Sequence, residues 1–192
     1  MKKKKFEVEV RSLISENDYN RIKSYLDAEA KLLWSGNQET YYFGSNYDLR
    51  LQKSDRNSKL WLKKGAMHAN PREEIEILFH KKYFDDMYTI FDLLNYRIIA
   101  KWFRKRIEYK WQGIKVCLDD TKNYGFIVEL EKITVKKSEK EQEKIKSLLK
   151  QKLKLLKHTV EAPSINLDSQ KELNELYNDY MEKQRNALLY HQ

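Results

Sequence analysis

The sequence predicts a mixed α+β chain, a closed antiparallel β-barrel of eight strands with helices packed outside. Three observations carry that expectation. Eight short segments alternate apolar and polar residues, most of them are linked by turns of hairpin length, and no internal repeat or long linker interrupts them. Hairpin links favour antiparallel pairing, and eight strands suffice to close a sheet and remove its edges.

Taken in order, Phe6-Glu7-Val8-Glu9-Val10-Arg11 alternates strictly and predicts the first strand. Ser15-Glu16-Asn17-Asp18 resembles a capping box, and Tyr19, Ile22 and Leu26 follow at helical spacing. Three short strands come next, over residues 39–43, 47–52 and 59–63. Ser35-Gly36, Gly44-Ser45-Asn46 and residues 54–58 supply turn chemistry around them. Asn70-Pro71 introduces a fifth strand over 72–79. Phe84, Met87, Tyr88, Phe91 and Leu94 then share one helix face. Strands over 98–111, 114–119 and 124–133 complete the eight, with Gln112-Gly113 turning between the first two.

Two helices close the chain. Residues 137–157 form a highly charged one with Ile145, Leu148, Leu149, Leu153 and Leu156 as its apolar stripe. The last starts near Ser169 with Glu172 completing a capping box, and its stripe is Leu173, Leu176, Tyr177, Tyr180 and Met181. The expected division is a barrel domain over 1–160 and a helical extension over 161–192. That extension has three placements open to it: on the barrel wall, over one mouth, or against a second copy in a homodimer.

Composition narrows the class. The chain has 192 residues, enough for one domain with a real core. No stretch approaches the roughly 20 apolar residues of a membrane span, and no apolar h-region follows Lys2–Lys5. The lone Cys117 excludes a disulfide framework and a cysteine-based zinc site. A cytoplasmic protein with no membrane partner is the expectation. The formal charge of +9 fits a polyanionic partner but equally a lysine-rich soluble surface. His68, His80, His158 and His191 show no metal-ligand spacing, and there is neither a nucleophile elbow nor a Gly-rich phosphate loop.

The polar faces of the strands carry the functional signal, because they are almost wholly charged. Glu7, Glu9 and Arg11 oppose Phe6, Val8 and Val10; Glu74 and Glu76 oppose Ile75 and Ile77; Arg104 and Arg106 oppose Phe103 and Ile107. Glu-x-Glu pairs on three strands place two carboxylates side by side about 7 Å apart on one face. Such pairs repel unless a cation sits between them. Arg50, Lys63, Arg72, Arg104 and Arg106 lie in the same phase. Acids on one wall and cations on another suit a divalent metal together with a polyphosphate, and an outward-facing charged sheet is the alternative.

These residues resemble the CYTH domain, or triphosphate tunnel metalloenzyme, superfamily. Glu7-Val8-Glu9-Val10-Arg11 is similar to its ExExK signature, with arginine in place of the lysine. Gln38-Glu39-Thr40-Tyr41-Tyr42, Leu49-Arg50-Leu51, Leu60-Trp61-Leu62-Lys63, Arg72-Glu73-Glu74-Ile75-Glu76, Arg104-Lys105-Arg106 with Tyr109, and Leu118-Asp119 before Tyr124–Glu131 follow in the family's order.

The resemblance implies a triphosphate tunnel and hydrolysis of a triphosphate-bearing small molecule such as ATP, inorganic triphosphate or thiamine triphosphate. Adenylyl cyclase chemistry, or non-catalytic binding of polyphosphate or an RNA 5′-triphosphate end, are its alternatives. It further implies Mg²⁺ or Mn²⁺ held by Glu7, Glu9, Glu129 and Glu131. Phosphates would be gripped by Arg50, Lys63, Arg72, Arg104 and Arg106, and catalytic roles would fall to Arg11, Glu74, Glu76 and Asp119. Nucleic acid enters only through a 5′-triphosphate end. The family also uses a late basic residue, for which Lys150, Lys152, Lys154 and Lys157 are candidates.

Overall fold

The computed structural model describes residues 6–64, 72–135, 138–168 and 170–189. Its elements are β1 (Phe6–Ile14), α1 (Glu16–Glu29), β2 (Lys31–Phe43), β3 (Asp48–Ser54), β4 (Ser58–Lys64), β5 (Arg72–Phe79), α2 (Phe84–Leu93), β6 (Ile98–Trp111), β7 (Ile114–Thr121), β8 (Gly125–Thr134), α3 (Glu139–Thr159) and α4 (Gln170–Leu189). The eight predicted strands and four predicted helices are all present.

The strands form one curled antiparallel sheet in the order β1-β5-β4-β3-β2-β6-β7-β8. Closure is minimal. Among the described residues β1 meets β5 only through Phe6–Glu73 and Glu7–Arg72, whereas β1 and β8 pair over all nine residues from Phe6 to Ile14. The expected closed barrel is therefore a deeply curled sheet joined by a two-residue seam.

Side-chain phase decides what lies inside. In β1 the apolar Phe6, Val8 and Val10 are buried outward, and Glu7, Glu9 and Arg11 point to the half-buried interior. The outer faces of β1, β6, β7 and β8 pack on α1 and α3, where Ile22, Leu26, Leu149, Leu153 and Leu156 are essentially inaccessible. Burial of such side chains contributes roughly 1.5–3 kcal/mol each. The Ser15 hydroxyl accepts the Asp18 N–H, so the predicted helix cap of α1 is formed. A smaller cluster seats Phe84 of α2 on Tyr41, Phe43, Leu49 and Leu51.

One turn expectation fails. Ser35-Gly36 lies within β2, which runs unbroken from Lys31. Glycine is needed there for space: a Cβ on Gly36 would stand 2.7 Å from Trp34 Cζ2 and 2.8 Å from Asp55 Oδ2. Gln112-Gly113 does turn, both residues taking positive φ.

The last helix settles on the barrel, lying across one end. Tyr177, Tyr180 and Met181 of α4 pack with Tyr42, Ala100, Trp102 and Tyr124, and Leu173 is buried too, whereas Leu176 of the predicted stripe is exposed. No helix of the described chain is long and apolar enough to cross a membrane.

Candidate functional site

The charged strand faces look at one another. Glu7, Glu9 and Arg11 of β1, Arg50 of β3, Lys63 of β4, Glu74 of β5, Arg104 and Arg106 of β6, Asp119 of β7 and Glu129 of β8 line a single interior cavity. Ten of the thirteen predicted site residues thus converge. Glu131 is buried beside them, bonded to Lys115 at 2.7 Å. Glu76 does not join the group: it pairs with Lys59 at 3.0 Å and lines a separate cavity at the sheet's lower mouth. The Arg72 side chain lies outside the described residues. None of Lys150, Lys152, Lys154 and Lys157 lines the cavity; Lys150 pairs with Asp168 and Lys157 bonds the Ile165 carbonyl.

Neighbouring β6 and β7 put Arg106 opposite Asp119, and the pair is bidentate, with Nε and Nη2 each 2.6 Å from a carboxylate oxygen. Arg104 adds a third bond to Asp119 at 3.1 Å and reaches Gln38 at 2.7 Å. Arg106 also donates to Glu129 at 3.3 Å. Burial works against these charges, yet Asp119 holds Arg106 well above its usual range, and Arg104 and Arg106 hold Asp119 low. Fork-to-carboxylate geometry of this kind fixes both planes.

Across the cavity, Lys63 bridges Glu7 at 3.1 Å and Glu74 at 3.7 Å. Against burial, Lys63 keeps Glu7 below the ordinary carboxylate range. Burial and the nearby Glu7 push Glu74 upward despite Lys63. Burial, with Glu7 beside it, pushes Glu131 up to about 8, outweighing Lys115.

The acids also meet a metal's needs. One donor atom each from Cys117, Glu129 and Glu131 lie within 4.8 Å of one another, and β1–β8 pairing sets Glu9 opposite Glu131 and Arg11 opposite Glu129. Carboxylate oxygens are hard donors of the kind a divalent cation takes. Cys117, which phase places inside but a small side chain there could merely fill, is fully buried against Glu129 and Glu131.

Several residues at or behind the cavity wall escape the charge pattern. Asp48 binds Arg50 through two 2.6 Å bonds, while Tyr42 and Trp61 lie under the Arg50 guanidinium at 4.5 and 5.5 Å. The buried Trp61 Nε1–H has no hydrogen-bond partner among the described residues. Leu173 and Tyr177 close the wall from α4. Tyr177 is invisible as a site residue because its helical spacing equals that of a core stripe.

The CYTH domain model matches residues 5–165. The chain belongs to the CYTH domain family. Solved structures agree on the fold. A conserved hypothetical protein from Pyrococcus furiosus superposes with a TM-score of 0.67 at 20% identity, covering 84% of this chain and 95% of its own. A candidate adenylate cyclase from Vibrio parahaemolyticus gives 0.64 at 14% identity, covering 79% and 88%. A candidate adenylyl cyclase from Hippeastrum, described as having a dominant triphosphatase activity, gives 0.57 at 19% identity, covering 79% and 87%. No curated protein sequence matches the chain. The CYTH match spans the whole barrel with α3, and ten of the charged residues that carried the resemblance line the cavity.

Proposed function

We propose that this CYTH protein is a divalent-metal-dependent hydrolase of triphosphate-containing substrates. One observation carries the reading: six cations (Arg11, Arg50, Lys59, Lys63, Arg104, Arg106) and five acids (Glu7, Glu9, Glu74, Asp119, Glu129) share one cavity. A polyanion entering it exchanges water for guanidinium and ammonium donors already held in place by their partners. Preorganised charge of this kind stabilises a phosphoryl transition state without reorganisation.

The residues divide the work. Arg50, Lys63, Arg104 and Arg106 grip and align the phosphates, and Asp119 positions both Arg104 and Arg106. With its oxygens bonded to arginine and its pKa lowered, Asp119 is a poor base. Glu74, raised by burial and facing the cavity, is the better acceptor for a proton from attacking water. Glu7, Glu9, Glu129 and Glu131 would hold Mg²⁺ or Mn²⁺, which supplies charge neutralisation at the phosphate oxygens. Arg11, 3.7 Å from Glu9, would orient that carboxylate.

Cyclisation of ATP in the same cavity is the second reading, favoured by the fold shared with the Vibrio parahaemolyticus protein. Product analysis after incubation with ATP, inorganic triphosphate or thiamine triphosphate and Mg²⁺ or Mn²⁺ tests both. Orthophosphate release that falls more than about 100-fold in Glu9→Ala is expected. Cyclic AMP with pyrophosphate would select the second reading, and unchanged turnover in Glu9→Ala would remove the metal assignment.

A further inference from the structure

The lower mouth of the sheet holds a second cavity of about 190 Å³, lined by Trp34, Gln38, Gln52, Arg56, Glu76 and Glu108 among others. It shares Lys59 with the main cavity, and Gln38 of its lining accepts from Arg104 of the other, so the two cavities adjoin. At the opposite end α4 lays Leu173 and Tyr177 into the wall. A triphosphate seated among the arginines therefore has this lower mouth in which to place whatever its chain carries.

Trp34 is specifically set there. The β2–β6 register slips between Leu32 and Trp34, so that Leu32 faces Tyr109 while Trp34 faces Glu108, an inward-pointing residue. A bulge of this type re-aims a side chain and is common beside functional sites. The indole then lies along its own strand over Gly36, where any Cβ would stand 2.7 Å from it. Asp55, which accepts the Asn37 N–H at 2.8 Å, bounds Gly36 from the adjoining turn. Arg56, next in that turn, is exposed and has no ion-pair or hydrogen-bond partner for its guanidinium among the described residues.

The geometry points to a nucleobase subsite: Trp34 and Arg56 stack on an uncharged heterocycle whose edge is read by the Gln38 and Gln52 amides, making a nucleoside triphosphate the substrate class. Indole and guanidinium planes are the usual stacking partners of bases. The carboxylates of the mouth are already compensated, Glu76 by Lys59 at 3.0 Å and Glu108 by Lys115 at 3.4 Å. With Gln52 Nε2 taken by Thr40 at 2.8 Å and Gln38 Oε1 by Arg104 at 2.7 Å, Gln38 Nε2 is left as a donor and Gln52 Oε1 as an acceptor, a pair suited to the edge of a neutral base. This inference rests on the triphosphate reading of the main cavity.

The test is calorimetric titration, with Mg²⁺ present, of adenosine 5′-bis-methylene triphosphate and of bis-methylene triphosphate alone, neither of which can be hydrolysed. The adenosine compound is expected to bind wild type about tenfold tighter or more than the bare chain. Trp34→Ala should abolish that difference while leaving the bare chain's affinity unchanged, and Trp34→Phe should keep most of it. Equal binding of the two compounds by wild type overturns the subsite, as does an equal loss for both in Trp34→Ala and Trp34→Phe. Faster competitive turnover of thiamine triphosphate than of ATP overturns it too. If wild type binds neither compound, the triphosphate reading itself fails, an outcome distinct from the others.

Discussion

The two halves of the sheet carry the same kind of inner face on very different supports. β1, β6, β7 and β8 are backed by α1 and α3 through a continuous apolar core. β4 and β5 lack that core: Leu60, Leu62 and Phe79 pack on the smaller cluster around Phe84, while Ile75 and Ile77, outward on β5, are 47% and 54% exposed, and among the described residues β5 meets β1 through two residue pairs. The inner faces differ accordingly. The backed wall holds Arg106 and Asp119 in two 2.6 Å bonds at no more than 7% exposure, whereas Lys63 spans Glu7 and Glu74 at 3.1 and 3.7 Å. Precise charge placement follows from what is packed behind the strand, since a side chain is only as fixed as its backbone.

That contrast can be broken from either side. The largest effect is expected from Arg106→Met, which leaves Asp119 and Glu129 buried without their main cation. Uncompensated buried charge costs about 3–5 kcal/mol, and chemical denaturation should show the loss. Lys63→Met, on the less supported wall, should cost about 1.5–3 kcal/mol by the same measurement. Leu149→Ala on α3 removes a fully buried side chain and should cost about 2–5 kcal/mol, while Ile77→Ala should stay within about 0.5 kcal/mol. Equal losses for Leu149 and Ile77 would erase the difference between the walls.

A pH experiment sharpens it. The Glu131 carboxyl is pushed from an ordinary 4.5 to about 8 by burial and by Glu7. Between those values the folded chain keeps a proton that the unfolded chain has released, so stability falls as pH rises from about 5 to 8. Glu7 and Asp119 are shifted the other way, and their contributions are lost only below the ordinary carboxylate range. Thermal melts should show Tm declining across that window, and Glu131→Gln should flatten the decline. A Tm that climbs over the same range would reverse the sign assigned to Glu131.

Much of this site was legible in one dimension. Strict alternation placed Glu7, Glu9, Arg104, Arg106 and Asp119 on one face each, because a strand's period of two leaves no freedom in which side a residue occupies. Other residues were missed. Asp48, in phase with Arg50, was not read as its partner, Tyr177 is spaced as helix core, and Trp34 reaches the interior only through a register slip. Gly36, read as a turn, is a packing residue instead.

The sequence by itself determined the strands, their charged faces and the helices that cover them, since each is written in a local periodicity. Only the tertiary structure decided that the two charged walls face inward on a common cavity, that Glu76 stays outside it, and that α4 crosses one end. Those outcomes depend on sheet curvature, on the two-residue seam and on which strands gain a helix behind them. Each is a contact between residues far apart in the chain, and no local pattern encodes it.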